Sequence, residues 1–223
     1  ILFGIPEDLG ARGNYGIGGT DSLWLPFLQN FLNIQSNDFL EGSDILLAGH
    51  FDFGDIQYLI DTTARGEEEK IEAYRHAVHT IDEEVEQLVK LITQLKKIPL
   101  VVGGGHNNTY PLLKGAAKGW HKAGVIPLAQ LNCINLDAHA DYRPLEGRHS
   151  GNGFSYAFEE GFLKKYFIFG LHESYTSKNV LDQLKSLKDK IQYNTYDAIK
   201  VRGEKEFRLE MQIAYDFIKS DAY

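Results

Sequence analysis

Apolar positions along the 223-residue chain recur with two periods, and each period marks its own kind of element. From Glu67 onward, Ile71, Tyr74, Val78, Ile81, Val85, Leu88, Ile92 and Leu95 return at spacings of three and four, the pattern of one long amphipathic helix. A coiled-coil seam has the same spacing, but this segment feeds directly into the apolar run Ile98–Val102, which favours packing against a core. Helical spacing over Ser22–Ile34, Tyr110–His121, Asn179–Lys190 and Glu204–Lys219 predicts further helices. In the last of these, Phe207, Met211, Ala214, Tyr215 and Ile218 supply the stripe. Short apolar runs at Ile1–Ile5, Asp44–Ala48, Ile98–Val102, Leu131–Leu136 and Tyr166–Phe169 predict strands. Between Leu9 and Gly19 five glycines crowd the chain, too many for a regular element and suited to a ligand-facing loop.

Strands that alternate with helices of ten or more residues imply a mostly parallel sheet covered on both faces. The expected fold is therefore a three-layer α/β/α domain, a single unit over residues 1–223. Ligands in such sheets bind beyond the carboxyl ends of the strands. Composition changes this picture little, since 43% apolar and 24% charged residues are ordinary for a globular protein. The formal charge of −8 argues against nucleic acid as a partner, because phosphate binding requires a basic face. Cys133 is alone, which excludes an intrachain disulfide, and it reads as a small buried hydrophobe. No cleavable signal pattern and no apolar run of membrane-spanning length occurs, so no membrane partner is expected and the cytoplasm is the expected location.

The chemistry concentrates where apolar runs end. Asp137, His139 and Asp141 follow Cys133–Leu136 on alternate positions, and a strand would turn all three toward one face. His106 ends a second apolar run, after Gly103–Gly104–Gly105. A mixed imidazole and carboxylate set suits manganese, iron or zinc better than magnesium or calcium. Two carboxylates side by side repel unless a cation lies between them. The plainer alternative has Asp137 capping a turn, His139 bonding backbone groups and Asp141 pairing with Arg143. The glycines before His106 would also suit a phosphate-binding turn, but no Gly–Lys–Ser/Thr follows to make a P-loop. Thr109 reads as a helix cap. A metal-dependent hydrolase leads.

With these residues in view, the chain resembles the arginase/agmatinase/formimidoylglutamase family of ureohydrolases. The strongest element is Asp137–x–His139–x–Asp141, and Gly103–His106 resembles the earlier histidine-ligand motif. Asp52–Phe53–Gly54–Asp55 resembles an Asp–x–Gly–Asp element, and Arg12–Gly16 an amino-terminal active-site loop. Arg148–Asn152 resembles the loop that supplies a histidine to the substrate pocket. The resemblance implies an arginase-like fold and two Mn²⁺ per complete subunit, with His106 on one ion, His139 on the other, and Asp137 and Asp141 bridging or completing the coordination. It implies a small-molecule amidine or guanidine substrate, hydrolysed at a carbon–nitrogen bond, with His149 and Asp141 as the catalytic groups. Arg12, Asn14, Arg143, His149 and Asn152 would face the substrate. Arg143 resembles the formimidoylglutamase branch, where a cation grips a substrate carboxylate, so N-formimidoyl-L-glutamate is favoured over arginine or agmatine. Relatives form trimers or hexamers, so a homo-oligomer is expected.

The match has departures. Ile17 and Gly18 stand where many relatives carry Arg–Pro, and Asn107 where an acidic residue or serine is common. The family completes its site with an aspartate pair on a later strand, and neither Asp216 nor Asp221 lies in such a strand pattern. The chain is therefore expected to be truncated before that strand, with weak or single-metal binding and little turnover of its own. Two other classes stay open, a single-metal deacetylase-like hydrolase and a noncatalytic binding or assembly protein.

Overall fold

The computed structural model describes residues 1–219, so Asp221 lies outside the described residues. In chain order the strands and α-helices are β1 (Leu2–Gly4), α1 (Leu9–Gly13), α2 (Trp24–Phe31), β2 (Leu47–His50), α3 (Gly54–Thr63), α4 (Glu67–Gln94) and β3 (Leu100–Val102). There follow α5 (Thr109–Lys122), β4 (Leu131–Leu136), α6 (Gly153–Glu159), β5 (Leu163–Leu171), α7 (Lys178–Ser186), β6 (Ile191–Thr195) and α8 (Phe207–Lys219). Among the described residues every strand pairing is parallel. These strands form two sheets of three, in the orders β2-β1-β3 and β4-β5-β6.

Helix α4 organises the first half. Glu67, Glu68 and Glu69 occupy its first turn, where carboxylates complement the helix dipole. Its far end closes when Lys96 takes φ +58°. The amides of Lys96 and Lys97 then bond back to Thr93 and Ile92, which satisfies carbonyls that would otherwise be orphaned. Tyr74, Val78, Ile81, Val85, Val89 and Ile92 bury against Phe3, Ile5 and Leu9. Trp24 of α2 covers the other face of β1, its ring lying where a Cβ on Gly4 would stand.

In the second sheet, β5 is central and apolar on both sides. Tyr166 and Ile168 pack with Phe154, Ala157 and Leu184 from α6 and α7, while Phe167 and Phe169 pack with Ala214 of α8. That is the expected layering of helices on both faces. Cys133 packs partly into the former cluster, and burial pushes its thiol up to about 12.

Several elements depart from the pattern. Leu9–Gly13, expected as loop, is a short helix, and α7 stops at Ser186. The expected buried strand at Asp44–Ala48 is β2, which starts at Leu47 and leaves that leucine 40% exposed on a sheet edge. Helices α3 and α6 and strand β6 are additions to the expected elements, each too short for its apolar spacing to stand out. Within β6, Asn194 is buried like an apolar residue because its side-chain oxygen accepts the Gly170 amide. Among the described residues, no helix is long and apolar enough to cross a membrane.

Candidate functional site

The carboxyl ends of β3 and β4 meet at the site. After β3, Gly103 and Gly104 take φ +88° and +83°, a bend that only glycine makes without strain, and the next turn begins at His106. Strand β4 stops at Leu136, so Asp137, His139 and Asp141 lie in a loop and not on the strand face that their spacing implies. Two local devices gather them. The His139 amide donates to Asp137 Oδ1 at 2.8 Å, and Asp141 takes φ +43°. Asparagine and aspartate tolerate that left-handed conformation better than most residues.

His106 Nδ1 then sits 3.0 Å from Asp137 Oδ2 and in contact with Asp141 Oδ2. These three residues each offer one ligand atom, all within 4.8 Å of one another. His139 approaches the opposite oxygen of Asp137, with Nδ1 at 3.4 Å from Oδ1, and stands outside that trio. Its ring stacks on Tyr175 with centroids 5.4 Å apart, and Tyr175 stacks in turn on His172. Burial alone pulls the His106 imidazole down, but hydrogen bonds and charge from Asp137 and Asp141 outweigh it and raise the pKa to about 9. For Asp137, burial pushes upward and is overcome by the His106 bond and the His139 amide, which leave it at about 2. Two carboxylates this close need a positive charge among them. An imidazolium supplies one, and a divalent cation with the imidazole as ligand is the alternative. Mixed nitrogen and oxygen donors fit Mn²⁺.

A cavity of about 770 Å³ opens over this cluster, and its wall includes Asn14, His139 and Arg143. Arg143 Nη1 donates to Asn14 Oδ1 at 2.6 Å, and Nη2 lies 2.7 Å from Glu146 Oε1. The Asn14 amide also donates to Ser150 Oγ at 3.3 Å.

Three expected substrate-facing residues are differently engaged. Arg12 does not line the cavity. Its guanidinium grips Asp8 through Nε–Oδ1 at 2.7 Å and Nη2–Oδ2 at 3.1 Å, and Asp8 is 1% exposed. His149 is fully buried, accepting the Gly151 amide at Nδ1 and donating from Nε2 to Glu146 Oε1, each at 3.1 Å. Burial lowers its pKa to about 4, and both ring nitrogens are hydrogen-bonded within the protein. Asn152 is also fully buried. It accepts from Arg148 Nη1 and the His149 amide, and it donates to the carbonyls of Pro144 and Gly147. Its role is to hold the 144–152 loop closed. Arg148 anchors that loop to α4 through a buried pair with Asp82 at 2.7 Å.

Glu146, Tyr175 and Glu7 are the participants that sequence reasoning missed. Glu146 had one faint signal, three residues from both Arg143 and His149. Tyr175 and Glu7 had none, because the contacts that tie them to the site, with His139 and with Gly105, Asn107 and Asn108, are remote in the chain.

Known proteins agree with this architecture. The model of a family described as the Arginase family matches residues 29–221. A formimidoylglutamase of Streptococcus gordonii is 31% identical over 142 residues, which is 61% of this chain and 41% of that protein. The solved formimidoylglutamase of Bacillus subtilis superposes over 100% of this chain and 61% of its own, with a TM-score of 0.68 and 16% identity. A Trypanosoma cruzi formiminoglutamase solved with Mn²⁺ matches over 97% of this chain and 65% of its own, with a TM-score of 0.64 and 22% identity. The matched region spans about two fifths of the length of the curated relatives.

Proposed function

Because this chain belongs to the arginase family, we propose that it forms the metal-binding and substrate-gripping part of an amidine hydrolase that converts N-formimidoyl-L-glutamate to glutamate and formamide. The observation that carries the reading is one cavity shared by His106, Asp137, Asp141 and Arg143. The relatives named above as formimidoylglutamases support the same substrate class.

His106, Asp137 and Asp141 would hold Mn²⁺, with His139 poised at the second oxygen of Asp137. When bound, the ion supplies Lewis-acid polarisation and a more acidic water. The chain's own residues do the rest. Arg143 presents a planar guanidinium, held in orientation by Asn14 and Glu146, to a substrate carboxylate. That grip sets the formimino carbon beside the carboxylate cluster. With the formimino group protonated, Asp141 takes one proton from the attacking water as the carbon–oxygen bond forms and returns it to the glutamate nitrogen as the carbon–nitrogen bond breaks; the remaining hydroxyl proton then leaves to the freed amine, giving formamide and the ammonium form of glutamate. A carboxylate held at a fixed position relative to the reacting atoms is suited to such a transfer.

The test compares N-formimidoyl-L-glutamate, arginine and agmatine on the manganese-supplied chain, reading formamide and urea release together with binding. N-formimidoyl-L-glutamate is expected to be preferred. Replacing Arg143 with alanine should weaken its binding on the order of 10- to 100-fold, the worth of a hydrogen bond to a charged group. Preference for agmatine, which has no carboxylate, would overturn the assignment of Arg143. The competing reading, hydrolysis of arginine or agmatine, predicts urea instead.

A further inference from the structure

Glu7 is 2% exposed, yet its carboxylate is surrounded entirely by hydrogen-bond donors. The Leu9 and Gly10 amides donate to Oε2 at 2.8 and 3.4 Å. The Gly105 amide and the side-chain amides of Asn107 and Asn108 donate to Oε1 at 2.8, 3.2 and 2.6 Å. One group of donors belongs to the first turn of α1, and the other to the turn that begins with His106. About a hundred residues of chain separate them.

Two further observations set this carboxylate apart from ordinary buried polarity. Asn107 and Asn108 both point their NH₂ groups at Glu7 even though this leaves their own side-chain oxygens buried without a partner. Leaving a buried polar atom unpaired is costly, so the carboxylate dictates both orientations. The backbone also closes tightly around it, and a Cβ on Gly10 or Gly105 would run into the Asn107 side chain. The same node reaches the rest of the cavity wall, because Gly10 accepts the Ser150 amide at 2.9 Å through its carbonyl.

We infer that Glu7 is a positioning residue of the candidate centre: its buried carboxylate clamps the His106 turn to α1 and thereby sets where the His106 imidazole points. The inference rests on the reading of His106 as a metal ligand, and its test separates the two. A glutamine at position 7 has nearly the same shape but one acceptor oxygen in place of two. Whichever way it turns, its NH₂ group faces a backbone N–H that Glu7 had accepted, either at Gly105 or at Leu9 and Gly10. Outer partners that fix a metal ligand's orientation typically contribute 10- to 100-fold to affinity, and Glu7 acts on His106 one step further back, through its backbone turn.

The experiment compares the parent chain, Glu7→Gln and Ile92→Ala. The last removes a core side chain of α4 that is 2% exposed and in the α4 cluster, and so reports general destabilisation. Two readouts are taken: the ring proton resonances of His106 by NMR in metal-free protein, and Mn²⁺ affinity by calorimetry. Glu7→Gln should shift the His106 ring signals and lower Mn²⁺ affinity about 10- to 100-fold. Ile92→Ala should lower the melting temperature while moving neither. Unshifted His106 resonances in Glu7→Gln, or an equal effect from Ile92→Ala, would overturn the inference. If the parent binds no Mn²⁺ while Glu7→Gln still displaces the His106 signals, the positioning role stands and the ligand reading fails.

Discussion

His149 shows how a residue with the right chemistry is diverted by its surroundings. Its ring is neutral, fully buried and bonded at both nitrogens, with burial as the leading cause of a pKa near 4. An ordinary histidine in the unfolded chain titrates near 6.5. Between those values the unfolded state binds a proton that the folded state refuses, so stability rises with pH across that window and is lost as pH falls from about 6.5 toward 4. A His149→Gln variant should flatten this dependence by roughly 1–3 kcal/mol, measured by urea melts at several pH values. A parental slope in the variant would show that another group carries it. Asp141 gives the opposite case, a residue whose backbone at φ +43° is bent to serve its side chain.

At the scale of elements, α4 and α5 pack backbone close to backbone. A Cβ on Gly115 would stand 2.7 Å from the Glu86 carbonyl oxygen and 3.0 Å from Val89 Cβ. Alanine at that position would gain about 1 kcal/mol in helix propensity. Against this, the clash is with backbone, which cannot rotate away, and overpacking costs about 1–3 kcal/mol. The second effect wins, so Gly115→Ala should lower the melting temperature; a variant as stable as its parent would mean that the helices slide apart at no cost. The glycines that interrupt the helical pattern over Tyr110–His121 are thus what lets α5 lie against α4.

Across the whole molecule, the two sheets leave strand edges open. Among the described residues β3 pairs only with β1, and β4 only with β5. Beside these edges Ile98 is 76% exposed, Leu100 52% and Leu136 78%. Unpaired edges with apolar side chains recruit other strands. Sedimentation velocity should therefore detect association that grows with protein concentration, and Ile98→Lys should reduce it with little change in melting temperature. A monomer at every concentration would show that these edges are already protected.

Much of the architecture was legible without coordinates. The period of three and four in α4, the apolar run of β4 and the stripe of α8 are local consequences of which side chains leave water, so they survive reading one residue at a time. The residues that gather at the candidate centre could be singled out in the sequence, since His106 and Asp137 follow apolar runs and Asp141 lies on an alternate position after Asp137. What the hydrophobic pattern does not record is which partner a polar group takes, even when that partner is near in the chain. Arg12 was equally suited to a substrate or to Asp8, and His149 to a cavity or to Glu146. Only packing that brought Glu7 against Gly105, and Arg148 against Asp82, decided between such partners, because a hydrogen bond goes to whichever group the fold delivers within about 3 Å.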